Sequence, residues 1–165
     1  MPLDLEDLAM QVALRIYSVL GGKNEKVKAD AFVRRAKELP SIVKQVGLSQ
    51  SVAFYLSKIS KHREYEDIFR VISEACSDKS CVNSLREDSE GEGKGYTTLL
   101  ATLAYAIENI AKEAKLDNCI NLSSVKFVAE CMLTLKKRKL LISVESQLTP
   151  YLITIKRMFE ALFST

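Results

Sequence analysis

A chain of 165 residues, 47% hydrophobic and 27% charged, has room for one well-packed domain and too much apolar surface to stay disordered. Lys and Arg number 24 against 21 Asp and Glu, a net charge of +3, so overall charge alone selects no polyanionic partner. Six glycines and three prolines are too few to punctuate an all-β fold, which needs a turn roughly every 8–12 residues.

Leu5, Leu8, Val12, Ile16 and Val19 recur with helical period, with Asp4 placed to cap the start and Gly21-Gly22 to stop the helix. Asn24 opens a second helix through Val27, Ala31, Phe32, Ala36 and Leu39. Pro40 is expected to end or kink it, because the ring lacks an N–H and clashes one turn back. A short helical segment then reaches Val46, Gly47 suits a left-handed position, and Ser49 is the expected cap of a helix carrying Val52, Tyr55, Leu56 and Ile59. Tyr65, Ile68, Phe69, Ile72, Ala75 and Cys76 form another stripe.

From about residue 77 to 96 the pattern lapses into a Gly- and acid-rich stretch, Glu87-Asp88-Ser89-Glu90-Gly91-Glu92-Gly93-Lys94-Gly95, which reads as a flexible loop. Helical order resumes with Leu99, Leu103, Ile107, Ile110 and Ala114, then Val125, Val128, Ala129 and Met132. The last stripe is Leu148, Tyr151, Leu152, Ile155, Phe159, Leu162 and Phe163, with Thr149-Pro150 near its first turn. Only Leu140 to Val144 leans toward β-branched residues, and its flanks are helical. The reading is all-α: one domain over residues 1–165, a bundle of six or seven helices. Each stripe is explained by burial, which contributes about 1.5–3 kcal/mol per large side chain. Phe54 and Phe127 lie beside their stripes and are expected to widen the buried face, with a contact surface as the alternative.

The sequence offers little for catalysis. His62 is the only histidine, and it sits in the basic Ser60-Lys61-His62-Arg63 junction, where a solvated residue is expected rather than a general base. Glu64 and Glu66 point to different sides of a helix. Cys76, Cys81, Cys119 and Cys131 lack metal-site spacing and read as small apolar residues; disulfides among them would need an oxidising compartment or the cytosol of a hyperthermophile. The Gly93-Lys94 pair fails the phosphate-loop pattern, since Gly95 follows the lysine, Asp88 stands where the first glycine belongs, and the neighbouring carboxylates repel phosphate. No cofactor or metal is expected, and no enzyme activity. The acidic opening Leu3-Asp4-Leu5-Glu6-Asp7 is unlike a secretory leader, and no uninterrupted apolar run reaches the ~18 residues of a membrane span. A cytoplasmic location is the expectation.

Charge distribution says more. Between Lys23 and Arg63 ten Lys and Arg stand against three acids, and Arg34, Lys37 and Lys44 align if the Pro40 break is gentle. Lys136-Lys137-Arg138-Lys139 and Lys156-Arg157 are further basic runs, the former also favoured by a helix C-terminus. Such clusters suit phosphate neutralisation.

The stretch Lys37-Glu38-Leu39-Pro40-Ser41-Ile42-Val43-Lys44-Gln45-Val46-Gly47-Leu48-Ser49-Gln50-Ser51-Val52-Ala53-Phe54-Tyr55-Leu56-Ser57-Lys58 resembles the Leu-Pro, Gly-Leu, Ala-Phe, Lys progression of the small helical subunit of type III-B (Cmr) CRISPR RNA-guided interference complexes. Lys156-Arg157-Met158-Phe159-Glu160-Ala161-Leu162 looks like that family's closing basic-then-aromatic helix. The resemblance implies a non-catalytic subunit in antiviral defence. It would stack in copies along the complex and frame the channel for guide and target RNA. Residues expected at RNA are Arg34, Arg35, Lys37, Lys44, Lys58, Lys156 and Arg157, with Leu39-Pro40 setting the angle between two basic helical segments. The partners implied are other subunits of the complex, further copies of the chain, and guide and target RNA. The alternative is a helical adaptor that touches neighbouring proteins and no RNA.

Overall fold

The computed structural model describes residues 2–21, 30–90 and 95–163. Gly22, Asn24, Val27, the lysines at 23, 26 and 28, and Gly91 to Lys94 lie outside them. Among the described residues there are eight α-helices, one 3-10 turn and no strand, one helix more than the sequence predicts. They are α1 (Leu5–Gly21), α2 (Asp30–Val46), α3 (Leu48–Lys58), α4 (His62–Ile72), α5 (Lys79–Glu90), α6 (Tyr96–Ala114), the turn Asp117–Cys119, α7 (Val125–Lys137) and α8 (Leu141–Leu162).

Helix α6 occupies the centre, because its sequence is apolar or small all round: Thr98, Leu99, Leu100, Leu103, Ala104, Ile107 and Ala111 are all buried. All the other helices except α7 pack against it. Helix α8 lies against both α1 and α2. Tyr65 donates its hydroxyl to the Leu122 carbonyl at 2.7 Å and Tyr151 to that of Thr102 at 2.8 Å, so two fully buried phenols are satisfied.

The start of α1 is as read: Asp4 Oδ1 accepts from the backbone N–H of Glu6 and Asp7 at 3.0 and 3.1 Å. Helix α4 ends earlier than its stripe, at Ile72, where Glu74 adopts a left-handed φ of 63°. Arg15 holds this end from α1, donating to the Ile72 carbonyl at 2.8 Å and pairing with Glu74 at 2.9 Å.

The sequence reading needs three corrections. Pro40 does not end a helix: α2 runs through it to Val46, leaving the Ala36 carbonyl without its usual i+4 donor. Ser49 is not a cap but lies inside α3, whose N-terminal Leu48 N–H is taken by Glu145 Oε1 of α8 at 2.7 Å. Most of the expected loop at 77–96 is helix α5, packed mainly on α4. Its buried face is built from Cys81, Leu85, Asp88 and Ser89. That i, i+4, i+7, i+8 spacing is helical, but two of the four residues are polar, so no apolar stripe announces it. Asp88 reaches the start of α6, accepting from Thr98 N–H at 2.7 Å and Thr98 Oγ1 at 2.6 Å.

The cysteines are not four independent apolar residues. Cys76 is bonded to Cys81 and Cys119 to Cys131, tying the α4–α5 connection to α5 and the 3-10 turn to α7. Closing the loop between Cys119 and Cys131, 12 residues apart, stabilises by about 3 kcal/mol. A thiol reductant is therefore expected to lower the melting temperature by roughly 10 °C. In a differential scanning experiment, the Cys119→Ser/Cys131→Ser variant should start lower and respond less.

Candidate nucleic-acid interface

On α2 the core takes Phe32, Ala36, Leu39 and Val43, which dictates what the opposite side presents. Arg34 and Lys37 lie one turn apart, and Lys44 follows Arg34 by ten residues, about 2.8 turns. All three are exposed on the outward face. Because α2 continues through Pro40, all three lie on one helix.

Arg35 turns aside. Its guanidinium carbon lies 4.8 Å from the centre of the Tyr96 ring and Nη1 is 3.5 Å from Glu38 Oε2, while its buried Nε has no hydrogen-bond partner among the described residues. Lys58 reaches the same ring from α3, with Nζ 5.8 Å from the centre of Tyr96 and 5.3 Å from that of Phe54. Phe54 meets Tyr55 and Tyr96 nearly perpendicularly, at centroid distances of 5.4 and 5.9 Å. The Tyr55 hydroxyl beneath this cluster is pushed up to about 12, first by burial and then by the Glu38 charge, with Arg35 acting in the opposite sense.

Helices α2 and α8 run antiparallel, with the Phe32 ring tilted against that of Phe159 at 4.7 Å and Leu48, just past the end of α2, bonded to Glu145. That register sets Lys37 level with Lys156, which is half-buried on the flank of α8. Arg157, one residue on, is rotated by about 100° and exposed on another side. Between the helices lies a groove of about 420 Å³ lined by Pro40, Val43, Ile142, Leu152 and Ile153, with Lys44 and Glu145 also on its wall. Of the seven predicted cations only Arg35 has an ion-pair partner among the described residues. The structure therefore gathers Arg34, Lys37, Lys44 and Lys156 along α2 and its seam with α8. It places Arg35 and Lys58 together at Tyr96 and leaves Arg157 apart.

The family model described as CRISPR-associated protein (Cas_Cmr5) matches residues 8–114, well over half of the chain. The chain belongs to the Cmr5 family. Cmr5 is the small, helical, non-catalytic subunit of the type III-B Cmr complex, so other Cmr subunits are its partners. No curated protein and no solved structure matches the chain. The matched stretch runs from the first turn of α1 to the end of α6, and so includes the α2 row, Lys58, Phe54 and Tyr96.

Two aromatic members of this Cmr5 surface escaped the charge-based reading. Phe54, expected in the core, is 41% exposed, as Phe127 is at 39%, because the buried face of each helix is narrower than supposed. Tyr96 lay at the edge of the supposed loop and instead opens α6. The i, i+4 spacing of Phe54 and Lys58 was a usable signal. His62 is an exposed first-turn residue of α4, and the Lys136–Lys139 run is exposed where α7 ends. Among the described residues no group of His, Cys, Asp or Glu is placed to hold a metal, and no helix is long and apolar enough to cross a membrane.

Proposed function

We propose that this Cmr5-family chain lies against the sugar-phosphate backbone of guide or target RNA inside the cytoplasmic effector complex, its copies stacking along the assembly. The observation that carries this reading is the exposed row Arg34, Lys37 and Lys44 on one face of α2, none of them held by an ion pair among the described residues, with Lys156 level across the seam. A cation without a fixed carboxylate partner is available to a phosphate, and such contacts position a strand without reading its sequence. That suits a machine whose specificity comes from base pairing. Arg35 and Lys58 extend the surface at Tyr96, and Arg157 contributes from the outer side of α8.

Reversing charge at Arg34, Lys37 and Lys44 together is expected to weaken RNA retention by the assembled complex by roughly 10- to 100-fold at moderate salt, with helix content unchanged. The slope of log affinity against log salt should become shallower by about 2, near 0.7 for each single-strand phosphate that is no longer neutralised. Unchanged retention across a salt series removes these three residues from the interface.

The adaptor reading draws support from exposed apolar side chains. Met10, Leu14 and Tyr17 share one face of α1, and Ile142, 82% exposed, borders the groove between α2 and α8. Normal co-assembly of the charge-reversed chain with failure to retain RNA separates the two roles; intact RNA retention with failed assembly favours the adaptor.

A further inference from the structure

Phe54 lies outside the buried core and outside the charge-based account of RNA contact. It stands on α3 one turn before Lys58 and remains 41% exposed. It is nonetheless held in place, by near-perpendicular contacts with Tyr55 and Tyr96 at interplanar angles of 73° and 80° and by the Lys58 ammonium 5.3 Å from its centre. Arg35 sits at 4.8 Å on the adjoining Tyr96 ring. A solvent-facing ring with a lysine ammonium against it, and a second cation on the adjoining ring, is poorly suited to a dry protein contact, from which lysine is depleted. It has the composition of sites that take unpaired nucleotides: an aromatic ring for the flat base, and positive groups for the phosphates on either side. A duplex, whose bases already stack on one another, uses only the charges.

We propose that Phe54 is a stacking platform for one unpaired RNA base, with Lys58 and Arg35 holding the adjacent phosphates. This deepens the RNA reading above and rests on it. The site therefore distinguishes single-stranded from paired RNA, which the α2 row alone does not.

The test titrates the full-length chain at low salt with labelled single-stranded oligouridine and with double-stranded RNA of equal length. Phe54→Leu, which keeps apolar bulk and removes the aromatic face, is expected to bind the single strand about tenfold more weakly. Its duplex binding and salt slope should be unchanged. Lys58→Gln should instead make the single-strand salt slope shallower by about 0.7, and Phe54→Trp should bind the single strand at least as well as the parent. Equal single-strand binding by Phe54→Leu and parent overturns the stacking platform while leaving the backbone reading standing. An equal loss for duplex and single strand overturns it as well, as does a variant that keeps RNA binding but no longer joins its neighbouring subunits. If the parent binds neither RNA even at low salt, the backbone reading fails first and this inference with it.

Discussion

Gly95→Ala is expected to remove about 2–5 kcal/mol of stability, enough to lower the urea midpoint of a marginally stable domain substantially. Gly95 has a left-handed φ of +77°, and a Cβ there would fall 2.7 Å from the Cα of Phe32, 3.1 Å from its Cβ and 3.3 Å from its N. The left-handed conformation costs a side chain about 1–2 kcal/mol. The clash is with backbone, so α2 itself must retreat, which adds about 1–3 kcal/mol of overpacking. Gly47 is the internal control. Its φ of +87° and ψ of 165° also favour glycine, but an added Cβ would meet only Glu145 Oε1 at an ordinary 3.6 Å. Gly47→Ala should therefore show only the backbone strain, about 1–3 kcal/mol. Equal losses in the two variants would mean that the start of α6 does not press on α2. Because Tyr96 follows Gly95 directly, Gly95→Ala should also disturb the Arg35 and Lys58 contacts.

Asp88→Ala is expected to destabilise by about 3 kcal/mol, since it strips the buried Thr98 N–H and hydroxyl of their shared acceptor and bonds to a charged group are worth roughly 1.5–3 kcal/mol each. The carboxyl is fully buried and its second oxygen has no hydrogen-bond partner among the described residues. Burial raises its pKa above the usual 3.8, and the two Thr98 bonds pull it back only in part. Glu64 is raised too, first by burial and then by the Asp88 charge. For both groups the folded chain keeps its proton to higher pH than the unfolded chain. Their contribution to stability is thus greatest at low pH and declines as pH rises from the ordinary carboxyl range through the raised folded values. Urea midpoints measured from pH 3 to pH 8, round values chosen to bracket that window, should show a smaller decline in Asp88→Ala than in the parent. Parallel curves would mean that Asp88 is not the source.

Most of the architecture could be read from the order of apolar residues, because the centres of the stripes, such as Leu8-Val12-Ile16 and Tyr151-Ile155-Phe159, are buried as their spacing requires. The failures share a cause: a distant partner replaced the local signal. Helix α5 buries Asp88 and Ser89, which only the start of α6 makes tolerable. Helix α3 is capped by Glu145, 97 residues beyond Leu48, so no nearby side chain marks its start. At the surface, the outward row on α2 followed from periodicity alone, whereas the turning of Arg35 toward Tyr96 depends on how α6 docks. Phe54 was misplaced because a stripe shows which residues are apolar but not how wide a face its neighbours cover.

The place of α8 has a consequence for how the protein is made. Helix α8 leaves the ribosome after α1 and α2, yet Phe159 packs on Phe32 and Phe163 on Tyr17, more than a hundred residues earlier. The nascent protein must therefore keep the apolar faces of α1 and α2 from sticking elsewhere until α8 has been made. A stop codon that removed α8 would leave those faces open, and the truncated product should partition into inclusion bodies or remain bound to chaperones.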